Sequence, residues 1–352
     1  MGLRVALWGT GEVGSRALQA MLRRPDMDLI GVRVYSPAKV GVDVGVLAGG
    51  APVGVLATDD AESILDLAPE CICYCASGPQ LDAVAVPDYE RFLSAGIDVV
   101  TVSTPALVYP PGYPSAARAR LETAAATGGA SLYASGIEPG FAADQFPLAM
   151  LTMSDTIRSV RVQELFTYDT YPVEFMMREV FGFGKPVDNV PIMAGAGAQR
   201  MTWGPVVQVV AAGLGVELDE VRETWVQEPT PRALDTAFGR VEAGTVGAVR
   251  FETIGVIGGR EAIVVEHINR LALDLAPHWP RSDRDGTYRV LIEGEPDMQC
   301  DFTVGSAEDF YLAGIRATAM RVVNAMPFVH AAPSGLLSSL DLPLTTPRHS
   351  FD

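Results

Sequence analysis

The chain has 352 residues, of which 48% are hydrophobic and 20% charged, a composition that supports about two domains with substantial cores. Its formal net charge of −17 excludes a broad nucleic-acid or anionic-membrane footprint, so an anionic ligand must be held by local N–H groups and one or two cations. Gly and Pro interrupt each apolar stretch before membrane-spanning length, and no basic segment with a long apolar run opens the chain; the expectation is a cytoplasmic protein without a membrane span.

Residues 4–8 (RVALW) read as a short apolar strand. Gly9, Thr10, Gly11, Glu12, Val13 and Gly14 follow at once, and residues 15–22 carry Ala17, Leu18, Met21 and Leu22 at helical spacing. Strand, Gly-x-Gly-x-x-Gly and helix in that order is the arrangement that receives a dinucleotide pyrophosphate. The first glycine permits a tight turn, the second lets backbone approach the phosphates, and the third lets the helix pack close to the strand. The helix N-terminus adds free N–H groups and a partial positive charge. Gly195, Ala196 and Gly197 lack this context and are discounted.

Residues 29–35 read as the second strand, and 53–57 as a short third before an acidic helix start at Asp59, Asp60 and Glu62. Residues 71–75, 98–102 and 131–134 supply the fourth, fifth and sixth strands, with an Ala-rich helix over 117–126. Side chains alternate along a strand, which places Cys71, Cys73 and Cys75 on one face. They lack metal-site spacing and a nearby His, so they read as small buried groups under a helix. Alternating strands and helices predict a parallel sheet covered on both faces, with ligands beyond the carboxyl ends of the strands.

Three turns leave that edge. Ser77 follows the fourth strand and Thr104 the fifth; both are candidates for the nicotinamide ribose or carboxamide, and both equally suit plain turn chemistry. Gly136 and Glu138 follow the sixth. Glu138 is either an acid favoured by the dipole of the next helix or a carboxylate that meets an ammonium or imine and moves its proton. An NAD site commonly has an acid after the second strand, but none lies between Asp28 and Asp43. Ser36 and Lys39 suit a 2′-phosphate instead, so NADP is the expected cofactor and NAD the alternative.

Beyond residue 150 the pattern changes. Residues 157–165, 245–252, 261–267, 288–293 and 299–304 look like longer strands, several of them alternating as antiparallel sheets do. Residues 175–181 and 206–213 have helix-like spacing, 307–326 form one long amphipathic helix, and 327–352 read as an irregular tail. The expected class is α/β: a Rossmann doubly wound parallel sheet over 1–150, an α+β substrate domain over 151–306, and a C-terminal helix and tail over 307–352. Tyr168, Tyr171, Met176 and His267 are candidates for the substrate pocket, against a plainer reading as core or structural residues.

Residues 9–14, 34–39 and 136–141, with FMMREVFGFGKP (175–186), VEHINRLALDLAPHWP (265–280) and AGIRATAMRVVNAMP (313–327), carry a family resemblance. The N-terminal half resembles the dinucleotide-binding domain of dihydrodipicolinate reductase. The whole chain resembles the 2,4-diaminopentanoate dehydrogenases and native amine dehydrogenases. The resemblance implies a homodimer built through the second domain's sheet, and a final helix that returns to the first domain with Asn324 near the nicotinamide. Two departures stand out. The His-His pair and the Lys with an Asp-x-Pro-Ser-Gly-Thr segment of true dihydrodipicolinate reductases are missing. The acid that amine dehydrogenases carry after the fifth strand is also missing, since residues 103–107 read STPAL, whereas Glu138 stands where the group has Asn. The expectation is that the carboxylate has moved to the neighbouring loop. The implied activity is NADP-dependent hydride transfer to or from a small amine, imine or ketone, the chemistry of an amine dehydrogenase-like reductive amination. A silent dinucleotide-binding sensor and a simple carbonyl reductase are the alternatives.

Overall fold

The computed structural model describes residues 2–76, 81–306 and 309–350. It divides into two compact units, residues 1–141 with 315–352 and residues 142–314. The described strands are, in chain order, β1 (Leu3–Trp8), β2 (Met27–Arg33), β3 (Cys71–Tyr74), β4 (Asp98–Thr101), β5 (Ser131–Ala134), β6 (Thr156–Thr167), β7 (Glu220–Pro229), β8 (Leu234–Thr236), β9 (Gly239–Val241), β10 (Val246–Ile257), β11 (Arg260–Arg270), β12 (Thr287–Glu295), β13 (Met298–Thr303) and β14 (Gly335–Leu337). The α-helices are α1 (Glu12–Met21), α2 (Val44–Leu47), α3 (Ala61–Leu65), α4 (Leu81–Ser94), α5 (Ser115–Gly128), α6 (Gln145–Leu151), α7 (Ala198–Gly213) and α8 (Phe310–His330). None of the described helices is long and apolar enough to cross a membrane.

In the first unit the sheet order is β14-β5-β4-β3-β1-β2, with each neighbouring pair parallel. This is the Rossmann arrangement: β2 lies on one side of β1 and β3 on the other, so the strand order reverses at β1. The central strands are short apolar runs buried on both faces, as parallel sheets require. Cys71, Cys73 and Cys75 are all buried and share a core cluster with Ala17 of α1 and Val322 of α8, so they do pack beneath helices.

Two expectations fail here. Residues 53–57 add no strand to this sheet; they make only an isolated bridge, Asp43 to Leu56. The Asp43 carboxylate accepts the N–H groups of Gly45, Val53 and Gly54, a local network that competes with strand pairing. The sixth strand comes instead from the tail, where β14 pairs with β5. Three residues are too few to show a period of two.

The second unit has a mixed sheet of order β13-β12-β6-β11-β10-β7, antiparallel throughout except for the parallel pair β6–β11. The sequence reading missed β7, an edge strand whose charged, half-exposed side chains hide its alternation. α7 packs on one face of this sheet. A Cβ on Gly255 of β10 would stand 2.4 Å from Val207 Cγ1 of α7, so bare backbone is needed for the helix to come this close. Residues 175–181 contain a π-helical turn, Met176–Val180.

Candidate active site

In the first unit, the glycine turn has the shape its sequence implies. Gly9 has φ +96°, a region L side chains rarely adopt, and a Cβ there would meet Ala76 backbone at 2.9 Å. Gly14 faces the Gly9 carbonyl oxygen, which would lie 2.0 Å from an added Cβ. Gly11 caps α1 with no side-chain hydrogen bond, leaving first-turn N–H groups for an anion. The exposed Glu12 and half-buried Val13 continue the turn into the helix, and Thr10 is 8% exposed. Lys39 reaches across: its Nζ donates to the Thr10 carbonyl at 2.8 Å and to Thr10 Oγ1 at 3.1 Å. A turn with no side chain in the way, free N–H groups and a cation at its rim fits a dinucleotide pyrophosphate.

Around the end of β2 the structure adds a residue that the sequence reading passed over. The Arg33 guanidinium lies over the rings of Trp8, at 4.7 Å, and Tyr35, at 5.1 Å. Its place as the last residue of a strand entering the Lys39 loop was the available signal. Ser36 is exposed beside it.

The turn after β5 is braced by α8. Ser135 Oγ donates to the Gly140 carbonyl at 3.2 Å, and Thr318 Oγ1 accepts from Ile137 N at 3.4 Å. Arg321 donates to the same Gly140 carbonyl at 3.2 Å and lies over the Phe141 ring. Gly140 has φ +120°, and a Cβ there would sit 2.3 Å from Gly136 N. Glu138, in the middle of this braced turn, is partly buried. Thr318 and Arg321 were missed, because an amphipathic pattern marks a buried face without naming what the flanks touch.

The remaining first-unit candidates fall elsewhere. Thr104 is 1% exposed and its hydroxyl lies 3.2 Å from that of Tyr89, which also meets Thr101, so it serves an internal network. Asn324 is not brought to the glycine turn: its Oδ1 accepts from Arg24 at 2.9 Å, in the connection that enters β2 at the opposite edge of the sheet. The helix does return, but one turn past Arg321 it has already run back beneath the sheet. Ser77 lies outside the described residues.

In the second unit, register assembles the polar centre. Phe302, Tyr288, Glu164, His267, Phe251 and Trp225 are successive partners across β13, β12, β6, β11, β10 and β7. One residue from each strand thus forms a single row. Phe251 stacks on His267 at 4.4 Å with an interplanar angle of 5°, and Trp203 of α7 closes on the same imidazole at 4.4 Å. Glu164 accepts from Tyr168 Oη at 2.7 Å, Asn269 Nδ2 at 2.9 Å and Tyr288 Oη at 3.3 Å. Burial first, and then the Glu164 carboxylate, push the Tyr168 phenol well above its usual range, so it stays a donor.

Of the expected pocket residues, Tyr168 and His267 thus flank one carboxylate, and Tyr171 packs on Tyr168 at 5.8 Å. Met176 opens the π-helical turn, which leads to Phe181, whose ring lies tilted beside that of Tyr168 with centroids 5.9 Å apart. The sequence reading missed Glu164, Asn269, Tyr288 and Trp203. One signal was present: Gln163 and Glu164 are adjacent polar residues between Val162 and Leu165, and in a strand two adjacent residues face opposite sides, so one of them must face the inner side.

The opposite face carries a different acid. Glu266 is fully buried and accepts from Arg161 at 2.7 Å, Arg250 at 2.6 Å and Gln163 at 2.8 Å. Burial alone would raise this carboxyl; the Gln163 hydrogen bond and the two guanidinium charges outweigh it and hold the group below its usual range.

Fold, glycine turn and buried polar row together define a Rossmann-type oxidoreductase with a second α+β unit. The family model for the 2,4-diaminopentanoate dehydrogenase C-terminal domain matches residues 142–349. An amine dehydrogenase of Streptomyces virginiae is 38% identical over 97% of this chain and 96% of its own length. A 2,4-diaminopentanoate dehydrogenase of Acetoanaerobium sticklandii is 21% identical over 97% and 94%. The solved amine dehydrogenase of Mycobacterium smegmatis superposes with a TM-score of 0.80 at 22% identity, over 100% of this chain and 99% of that one, and so shares the fold. The chain belongs to the family of 2,4-diaminopentanoate and amine dehydrogenases.

Proposed function

We propose that this protein is an NADP-dependent dehydrogenase of small primary amines, able to run as a reductive aminase of the matching ketones or aldehydes. The observation that carries the reading is the side-chain-free glycine turn with Lys39 across it, in a chain 38% identical to an amine dehydrogenase over nearly its whole length. Arg33, Ser36 and Lys39 surround the end of β2, where a ribose 2′-phosphate would lie, and the sequence carries no acid between Asp28 and Asp43.

When bound, the nicotinamide supplies the hydride acceptor or donor. The chain's part is to orient the substrate and handle a proton. On oxidation, the carbon bearing nitrogen loses a hydride, the nitrogen loses a proton, and water then replaces the nitrogen to leave a carbonyl and ammonia. Glu138 is the residue we assign to that proton, in place of the acid missing after β4. Its turn is braced by Thr318 and Arg321, as positioning of a proton-transfer group requires.

The protein is also proposed to self-associate as a homodimer through the second unit's sheet. Light scattering on the intact protein tests this; a monomer at micromolar concentration overturns it.

The direct test of activity mixes protein, NADPH, ammonia and a panel of small ketones and aldehydes and follows reduced-nicotinamide absorbance. Ammonia-dependent oxidation is expected. Oxidation that persists without ammonia makes the protein a carbonyl reductase. Tight nucleotide binding without turnover makes it a sensor.

A further inference from the structure

The loop from β11 to β12, residues 271–286, borders a concavity that lies wholly within the second unit. Three arginines line it, Arg270, Arg281 and Arg284, with Ser282 beside them and Leu165 and Leu273 as apolar wall. Arg270, the last residue of β11, is 3% exposed. Its Nε donates to the Leu275 carbonyl at 2.9 Å, and its Nη2 to those of Ala276 and Pro280 at 3.3 and 2.9 Å. Its Nη1 meets no acceptor among the described residues, and none of the three guanidinium groups makes an ion pair there. A guanidinium keeps its charge at neutral pH, so this buried cation is compensated at close range by carbonyl dipoles alone. Burial first, and then the charge of Arg281, push the group below its ordinary value. Glu228 and Asp285 attract it from a distance but are engaged elsewhere. Glu228 meets His278 at 3.0 Å, and Asp285 accepts from Thr167 N and Gly286 N, both at 2.8 Å. The exposed Asp283 acts on Arg289.

We propose that this concavity binds a tetrahedral oxyanion, a phosphate or phosphoryl group, through Arg270, Arg281, Arg284 and Ser282. The number of donors sets the choice of anion. A carboxylate presents two oxygens, which one guanidinium fork already satisfies. Three guanidinium groups and a hydroxyl offer more donors than that, and a phosphate has the oxygens to receive them. Arg270 enters preorganised, because its three carbonyl partners and the Trp279 ring, 5.9 Å from its Cζ, fix its plane. The apolar wall lowers the local dielectric and strengthens each charge-assisted bond. Arg281 and Arg284 are exposed and can receive an anion from solvent. In a chain of net charge −17, three cations on one concavity attract an anion that the bulk charge repels. The site belongs to a different unit from the glycine turn, and the inference does not depend on the dehydrogenase reading.

The test is calorimetric titration of the full chain with inorganic phosphate, adenosine 5′-monophosphate and acetate, at neutral pH and constant ionic strength. The native protein is expected to bind phosphate at least about tenfold tighter than acetate. Arg281→Gln and Arg284→Gln are each expected to weaken phosphate by about tenfold, the factor that one charge-assisted hydrogen bond supplies, and to leave NADP affinity within about twofold. Both side chains are exposed, so neither substitution empties a core position. If either variant does not fold, the native protein still decides: acetate bound as tightly as phosphate, or no heat from phosphate, overturns the proposal. Phosphate affinity unchanged in both variants assigns the heat to the glycine turn and also overturns it. Adenosine 5′-monophosphate bound like phosphate, with the same losses in the variants, supports a phosphoryl group carried on a larger molecule. Its exclusion while phosphate binds supports the free ion. Absence of phosphate binding, with dissociation of a native dimer in the double variant by light scattering, would replace the oxyanion by a carboxylate of a second copy.

Discussion

The two units build their polar centres from different materials. At the glycine turn the working groups are backbone N–H donors, and the residues that matter are those whose missing side chains leave room: Gly9 at φ +96° and Gly14 against the Gly9 carbonyl. In the mixed sheet the working groups are side chains, brought together by strand register from positions far apart in the chain. Asn269 and Tyr288 reach Glu164 from 105 and 124 residues away. A backbone site tolerates wide variation in what surrounds it and almost none in its glycines. A register site tolerates neither the loss of one charge nor a one-residue slip, which would turn each member of the row to the other face.

Four experiments sharpen that contrast, from the largest effect down. Glu138→Gln is expected to cut turnover by about 10²–10⁴-fold, the range for a lost proton-transfer group, while the dissociation constant for NADP stays within about twofold. Stopped-flow turnover alongside fluorescence titration checks it, and unchanged turnover removes Glu138 from its assigned role. Glu266→Gln, on the opposite face of the second sheet, leaves Arg161 and Arg250 without their shared buried carboxylate and is expected to cost about 3–5 kcal/mol in urea unfolding at pH 7. Glu266 is lowered on folding, so its stabilisation is complete above its ordinary value of 4.5 and is lost as pH falls through the folded value. The gap between native and variant proteins should therefore narrow below pH 4.5; a gap that widens there contradicts the assignment.

Gly14→Ala places a methyl where the Gly9 carbonyl stands at 2.0 Å, and overpacking of this kind is expected to cost about 1–3 kcal/mol, with weakened binding of both nucleotides. Thermal denaturation with and without NADP measures both effects. Lys39→Ala should weaken NADP by about tenfold and NAD by less than about threefold, since only NADP carries the 2′-phosphate. Equal losses for the two would make Lys39 a pyrophosphate contact alone.

How far each site could be read from sequence follows the same division. Gly9, Gly11 and Gly14 fall within six residues, next to the strand and helix they serve, so their purpose was legible from local spacing. Lys39 was legible because its loop follows β2 in a known order. Tyr168 and His267 were found as polar or aromatic residues at strand ends, but not the carboxylate between them. Glu164 gains its meaning only from its opposite numbers on β11 and β12, and no local pattern states which residues of distant strands will be paired. Asn324 shows the complementary error: helix return was implied by resemblance, but a helix advances about 5.4 Å per turn, and one turn separates a residue bracing the 135–141 loop from one bonded to Arg24. β14 escaped because a three-residue edge strand takes its identity from the partner it joins.

That last strand bears on how the protein can be made. The first unit is completed by α8, whose Ala319, Val322, Val323 and Met326 are fully buried in its core, and by β14 alongside β5. As the polypeptide leaves the ribosome, the first 141 residues must wait for nearly two hundred more before the edge of β5 is paired and its hydrophobic underside roofed over. Expressing that N-terminal portion by itself should yield an insoluble product, whereas fusing residues 315–352 behind it through a flexible tether should restore a soluble nucleotide-binding module.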